Sequence, residues 1–246
     1  MPIDWLRADW PAPDTIVAGT TTRAGGVSRG RYESLNLGAH VGDDAGNVRE
    51  NRRRLLRALD MPGEPLWLQQ VHGTDVVPGG SYASPPQGDA AVATRSDDVL
   101  VIMTADCLPV MLCSSNGEEF AAAHCGWRSL AGGILGKTVA AMKSEPPDLL
   151  AWLGPAIAQP AFEVGAEVRD AFVTQSPAAE QHFAANERGR WQADLYGLAR
   201  LKLAEAGVLR VSGGGHCTYA DAKRFFSYRR DGQTGRMASF VFRRAP

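Results

Sequence analysis

Val99-Leu100-Val101-Ile102-Met103 is followed, after Thr104-Ala105-Asp106-Cys107-Leu108-Pro109, by Val110-Met111-Leu112-Cys113, and these two runs decide the fold class. Short uninterrupted apolar runs bounded by polar or turn residues read as strands buried on both faces, not as strands half exposed to water. Asn116-Gly117 supplies a hairpin turn, and Phe120-Ala121-Ala122-Ala123 returns the chain to His124. A sheet buried on both faces needs cover on both, and helix-patterned segments provide it. Asn47 to Leu59 carries Val48, Leu55, Leu56 and Leu59 on one face, with Arg49, Arg52, Arg53 and Arg54 on the rest. Gly132 to Met142, Val164 to Phe172 and Leu195 to Ala206 read as further helices. Thr15 to Gly19 and Leu66 to Val71 read as strands and Ala151 to Ile157 as a strand and turn, and two further strands are read around a polar loop, beginning at Phe225 and at Met237. Gly79 to Gly88 is an exposed loop. The expectation is one α/β (α+β) domain over residues 1–246, with sheets at its centre and helices outside.

Apolar residues make up 44% of the chain and charged residues 22%, which places it among ordinary globular proteins able to build a core. A net charge of −1 gives no electrostatic argument for nucleic acid or an anionic membrane, neither of which is expected as a partner, so any anion specificity rests on local arginines. Met1-Pro2-Ile3-Asp4-Trp5 shows no secretory pattern, and no apolar run reaches bilayer length. The four cysteines contain no CxxC pair, which excludes a local zinc knuckle. Reduced thiols in the cytoplasm are expected.

Three segments then stand out: Gln70-Val71-His72-Gly73, Ala105-Asp106-Cys107-Leu108-Pro109 and His124-Cys125-Gly126-Trp127-Arg128. His72, Cys107 and His124 each sit where an apolar run ends, the place where side chains converge at the end of a sheet. Two imidazoles and a thiolate suit zinc or copper, and three protein ligands leave a coordination position open, as in catalytic sites. Cys113 and Cys125 are rival thiols; Cys113 lies within a strand and is assigned to the core, while Cys125 adjoins a ligand. His40 and His182 read as ordinary polar residues. Asp106 is a candidate general base or a partner that orients a histidine. Arg128 follows a presumed ligand and suits bidentate anion binding. Arg23 stands in the loop Arg23-Ala24-Gly25-Gly26-Val27-Ser28, whose amides are candidates for cradling an anion. Arg224, Arg229, Arg230 and Arg236 crowd the C-terminal segment.

With these stand Thr22-Arg23-Ala24-Gly25-Gly26-Val27-Ser28, Ser34-Leu35-Asn36-Leu37-Gly38, Asn51-Arg52, Cys217-Thr218-Tyr219 and Arg224-Phe225-Phe226-Ser227-Tyr228-Arg229-Arg230-Asp231-Gly232. Together these segments closely resemble the bacterial YfiH family, related to the animal laccase-domain protein of purine metabolism, from about Thr15 to Phe242. Cys125 departs from the family's usual alanine, and Ser129 stands where glycine is common. The resemblance implies two central sheets flanked by helices, related to bacterial deamidating toxins. It implies zinc at His72, Cys107 and His124. It also implies purine nucleosides and phosphate as substrates: phosphorolysis of adenosine, inosine, guanosine and S-methyl-5′-thioadenosine, with deamination of adenosine. On that reading Asp106, Cys107 and Arg128 are the catalytic candidates, and Arg23, Asn36 and Arg229 bind substrate, in a protein expected to be a monomer.

Three other readings compete, one of them a non-enzyme in which the zinc is structural and the protein is a binding module. The family's older label is polyphenol oxidase or laccase, but five histidines without a His-x-His pair do not build a trinuclear copper cluster. A cysteine hydrolase would use Cys107 as nucleophile with His124 or His72 as base, on an amide such as a peptidoglycan precursor.

Overall fold

Both apolar runs form strands, Val99–Thr104 and Leu108–Ser114, but in different sheets. The computed structural model of the chain describes residues 2–244. Its five-stranded sheet runs in the order Trp5–Arg7, Ile16–Thr21, Met237–Arg243, Val99–Thr104, Pro65–Trp67, antiparallel except for the last pair. The six-stranded sheet runs Arg210–Gly213, Leu149–Leu153, Leu108–Ser114, Phe120–Cys125, Ala90–Ala93, Val76–Pro78, with antiparallel pairs at its centre and a parallel pair at each edge. A small three-stranded sheet (Glu163–Val164, Trp191–Ala193, Phe183–Ala185) lies apart from both.

Alternation along each strand explains the layers. Leu100, Ile102 and Val241 from one sheet meet Met111, Cys113, Phe120 and Ala122 from the other in a shared core. Val99, Val101, Phe240 and Phe242 point the opposite way, against Leu55 and Leu59 of the helical segment Ala45–Ala58 and its end. Val110, Leu112, Ala121 and Ala123 pack with Leu130, Ile134, Val168 and Leu198, from the helices Trp127–Ala131, Ile134–Ala141, Ala166–Val173 and Leu195–Glu205. The result is helix, sheet, sheet, helix. Every residue of the central strands is buried, which is why their sequence lacks period-two polarity. Two mixed sheets flanked by helices are therefore the architecture, as the resemblance implied.

Four local expectations change. The strand read over Leu66 to Val71 ends at Trp67. Beyond it the Gln70 side-chain amide takes both backbone groups of Met103, accepting from its N–H at 2.8 Å and donating to its C=O at 2.9 Å, where a strand would otherwise pair. The helix read over Gly132 to Met142 is trimmed to Ile134–Ala141, because Gly133 adopts φ +87° and sets it apart from a separate short helix, Trp127–Ala131. Val164 belongs to a short strand, and its helix starts at Ala166. The segment read as a strand from Phe225 is a buried aromatic pair followed by one helical turn, Tyr228–Asp231. Ser227 caps that turn by accepting from the Arg230 N–H at 3.2 Å.

Because the inter-sheet core joins both halves of the site, Phe120→Ala is expected to lower stability by about 3–5 kcal/mol. Urea unfolding should show a reduced midpoint with an unchanged slope; a loss under about 1 kcal/mol would mean that the core relaxes into the gap.

Candidate metal centre and active site

The chain passes from one sheet to the other through Ala105-Asp106-Cys107, and the site forms at that open end of the sandwich. Asp106 has φ +98° and His72 φ +61°, conformations that cost a non-glycine residue ~1–3 kcal/mol each unless the surroundings impose them. They do. The Asp106 carboxylate accepts from Thr218 Oγ1 at 2.6 Å and from the Arg229 N–H at 2.7 Å. The His72 N–H donates to Asp89 at 3.0 Å. His124 lies between Ala123 and Cys125, both in the helical-side core, so its ring faces the opposite way, toward the gap between the sheets.

His72, Cys107 and His124 each bring one ligand atom, all within 4.8 Å of one another. His72 Nε2 lies 3.8 Å from Cys107 Sγ, and the two imidazoles meet edge to face at 4.7 Å between centroids. Among the described residues this is the one such cluster. Gly126 makes room for it: a Cβ there would stand 2.8 Å from His72 Cδ2 and 3.2 Å from Cys107 Sγ.

Asp89 holds the cluster together. It is fully buried and accepts from the amides of Val71, His72 and Gly73 at 3.2, 3.0 and 2.7 Å, and from His124 Nδ1 at 2.8 Å. That last bond makes Nδ1 the protonated nitrogen and leaves Nε2 as the ring's metal-binding atom. Burial works against ionisation of Asp89, but His124 and the Gly73 and Val71 amides outweigh it and keep the carboxyl below the usual range. Burial likewise opposes a Cys107 thiolate, yet His124 and His72 bring the thiol down to about 6. His124 is pushed up to about 9, since the Cys107 and Asp89 charges overcome its desolvation. Without metal this is a thiolate–imidazolium pair, and a bound cation takes the place of the proton. A soft thiolate and two imidazoles converging on one point fit zinc or copper.

The centre opens into a cavity of about 450 Å³. Asp106 is the one carboxylate lining it among the described residues, and Arg229, Arg236, His40, Gln70, Thr104 and Tyr228 also contribute. Of the residues expected there, His72, Cys107, His124, Asp106 and Arg229 are brought together. Arg229 anchors through Nη1 to Glu163 O at 3.0 Å.

Arg23, Asn36 and Arg128 lie off the cavity wall. Arg23 clamps two loops, donating to Glu33 O and Ala222 O, with its guanidinium 4.7 Å over the Phe226 ring. Asn36 is fully buried, with both ends of its amide bonded to protein. Arg128 is exposed and stacks on Trp127. The anion cradle expected at residues 23–28 is filled from within: the amides of Ala24, Gly26, Val27 and Ser28 bond Thr22 Oγ1, Ser34 Oγ, Asn51 Oδ1 and Ser34 O. The rival thiols are settled by strand parity. Cys113 lies in the inter-sheet core and Cys125 in the helical-side core, where burial pushes both thiols up. His40, read as an ordinary polar residue, lines the cavity.

Residues 17–244 match the family model described as multi-copper polyphenol oxidoreductase laccase. The protein called purine nucleoside phosphorylase YfiH in Escherichia coli K12 is 50% identical over 235 residues, 95% of this chain and 96% of that one. The purine nucleoside phosphorylase PA4543 of Pseudomonas aeruginosa is 50% identical over 242 residues, covering 97% and 98%. The chain belongs to the YfiH, or laccase-domain, family. Among solved structures, Neisseria meningitidis protein NMB0706 superposes with a TM-score of 0.95 at 48% identity, covering 98% of this chain and 100% of that one. YlmD from Geobacillus stearothermophilus gives 0.93 at 34%, covering 98% and 97%. Within this family fold, Asp89 was the residue that sequence reading passed over. A lone carboxylate directly before the apolar strand Ala90–Ala93 was its signal, because burial there demands partners.

Two outcomes are expected. Asp89→Asn should weaken metal binding about 10–100-fold in a chelator competition, since an amide brings no charge and only one acceptor oxygen to the four donors that include His124 Nδ1. In metal-free protein, iodoacetamide should alkylate Cys107 with a midpoint near pH 6 instead of the ordinary 9, and Asp89→Asn should move that midpoint upward. An unchanged midpoint would show that His124 is not charged by its contact with Asp89.

Proposed function

We propose that the chain is a zinc-dependent purine nucleoside phosphorylase of the reducing cytoplasm. Its proposed substrates are adenosine, inosine, guanosine and S-methyl-5′-thioadenosine, cleaved with phosphate to free base and pentose 1-phosphate, with deamination of adenosine at the same centre. The observation that carries the reading is the His72, Cys107, His124 cluster at one end of a cavity of nucleoside size. The names of the half-identical relatives support it.

His72, Cys107 and His124 hold the ion, which when bound supplies Lewis acidity and an open coordination position. The protein's own contributions are separate. Asp89 fixes the His124 tautomer and the His72 turn. Asp106, held by Thr218 and the Arg229 amide, presents a carboxylate to the cavity and is the group proposed to move protons during deamination. Phe162, Ile157 and Met103 line apolar wall against which a purine ring stacks and from which water is excluded.

A second reading has its own support: Cys107, His124 and Asp89 form a thiol–imidazole–carboxylate chain with the thiol at about 6, the arrangement of a cysteine hydrolase acting on an amide such as a peptidoglycan precursor. A copper polyphenol oxidase is disfavoured, because the described residues hold a single three-ligand cluster.

The deciding assay incubates purified protein with each nucleoside and phosphate and separates the products by chromatography. Base and pentose 1-phosphate should appear, and His72→Ala and Cys107→Ala should lose at least about hundredfold in rate together with stoichiometric zinc. Absence of base release would overturn the phosphorylase. A metal-free protein whose Cys107 is acylated by an amide substrate would establish the hydrolase.

A further inference from the structure

One wall of the cavity gathers arginines and a histidine that enter no ion pair among the described residues. Arg229, Arg236 and His40 line it, and Arg52 stands behind Met103 with Nη2 3.8 Å from its sulfur. Among the described residues none of the four enters an ion pair. Arg52 is committed elsewhere, to Leu37 O and the Trp67 ring at 3.7 Å. Arg236 is not. Its Nη1 donates to Thr234 O and Gly235 O, while Nε and Nη2, the edge that grips an oxyanion with two parallel bonds, have no protein acceptor among the described residues.

The backbone around Arg236 is built to hold it there. Its N–H donates to Asn36 Oδ1 at 2.9 Å, and its C=O accepts from the Leu37 N–H at 3.2 Å. Its stem lies on Gly38, where a Cβ would come within 2.8 Å of Arg236 Cγ. The Ser34-Leu35-Asn36-Leu37-Gly38 motif thus positions an arginine and carries His40 two residues on. Beside it, Thr104, paired in register with Met237, lines the cavity with a buried hydroxyl that has no partner. Burial, with Arg236 and Arg52 nearby, pushes the His40 pKa down, so His40 offers a neutral ring N–H; burial also lowers Arg236, outweighing the opposing pull of the Cys107 and Asp106 charges.

We propose that Arg236 and His40 form the oxyanion subsite of this cavity and hold inorganic phosphate as the nucleophile of phosphorolysis, an assignment that rests on the reading above. A phosphate oxygen bonds to C1′ of the pentose as the C1′–N9 bond breaks. The bonding pair leaves on the purine, and the hydrogen of hydrogenphosphate ends on the purine nitrogen, giving free base and pentose 1-phosphate. The Arg236 guanidinium holds the phosphate charge, and Asn36 acts as a positioning residue.

The test compares wild type, Arg236→Gln, Arg236→Lys and His40→Gln in two measurements: phosphate KM at saturating inosine, and the rise in melting temperature caused by phosphate alone. Arg236→Gln should raise phosphate KM about tenfold or more, with inosine KM within about twofold, and abolish the thermal shift. Arg236→Lys should recover part of both, and His40→Gln should move both in the same direction by less. Unchanged phosphate KM in Arg236→Gln, or an equal rise in both KM values, overturns the subsite. If wild type releases no base yet phosphate stabilises it and not Arg236→Gln, the subsite stands and the phosphorylase reading falls. If phosphate stabilises both proteins or neither, the subsite falls. Should Arg236→Gln not fold by circular dichroism, the same two measurements on His40→Gln decide.

Discussion

The buried Asp89 carboxylate is the contact on which the candidate site depends. One side chain takes three consecutive amides of the His72 turn and the Nδ1–H of His124, so two ligands from different parts of the chain share one anchor. A buried carboxylate without such donors would carry a large desolvation cost. Here the donors that satisfy it are the elements that must be placed. The same bonds that stabilise Asp89 also hold His72 in a left-handed conformation it would not otherwise keep.

The second constraint is topological. Val99–Thr104 and Leu108–Ser114 are consecutive in the chain but lie in facing sheets, so Ala105-Asp106-Cys107 must cross the gap at the end of the sandwich. The crossing sets Cys107 beside His124, which reaches the same end from the adjacent strand. It also forces Asp106 into a positive φ, held by Thr218 and the turn at Arg229. The C-terminal segment is therefore part of the site because it stabilises the crossing.

The arginines divide by what surrounds them, not by where they stand in the sequence. Arg23 and Arg52 end on backbone carbonyls and aromatic faces and serve the scaffold. Arg128, next but three to a ligand in the chain, turns onto Trp127 at the start of a helix and away from the cavity. Arg236, one of several in a basic run, keeps its bidentate edge free and faces the cavity. Proximity in sequence to a ligand carries little information, because successive residues at the end of a strand point in opposite directions.

Much of the frame was legible in the chain itself. Short apolar runs without polar alternation, rich in Val and bounded by turn signals, read as strands covered on both faces, so the layered α/β class follows from residue pattern and from the cost of exposing such strands. The donor cluster was legible too, since imidazole and thiolate at strand ends suit a soft metal, and His72, Cys107 and His124 do converge. What the sequence left open was every feature set by direction across long separations: which of Cys107 and Cys125 faces the gap, that Asp89 and not Asp106 orients His124, that Asn36 holds an arginine instead of a ligand, and that the residues after Phe226 turn into a helix. These depend on strand parity, sheet-to-sheet crossing and hydrogen bonds between groups up to two hundred residues apart, and only the packed tertiary structure brings those groups within reach of one another.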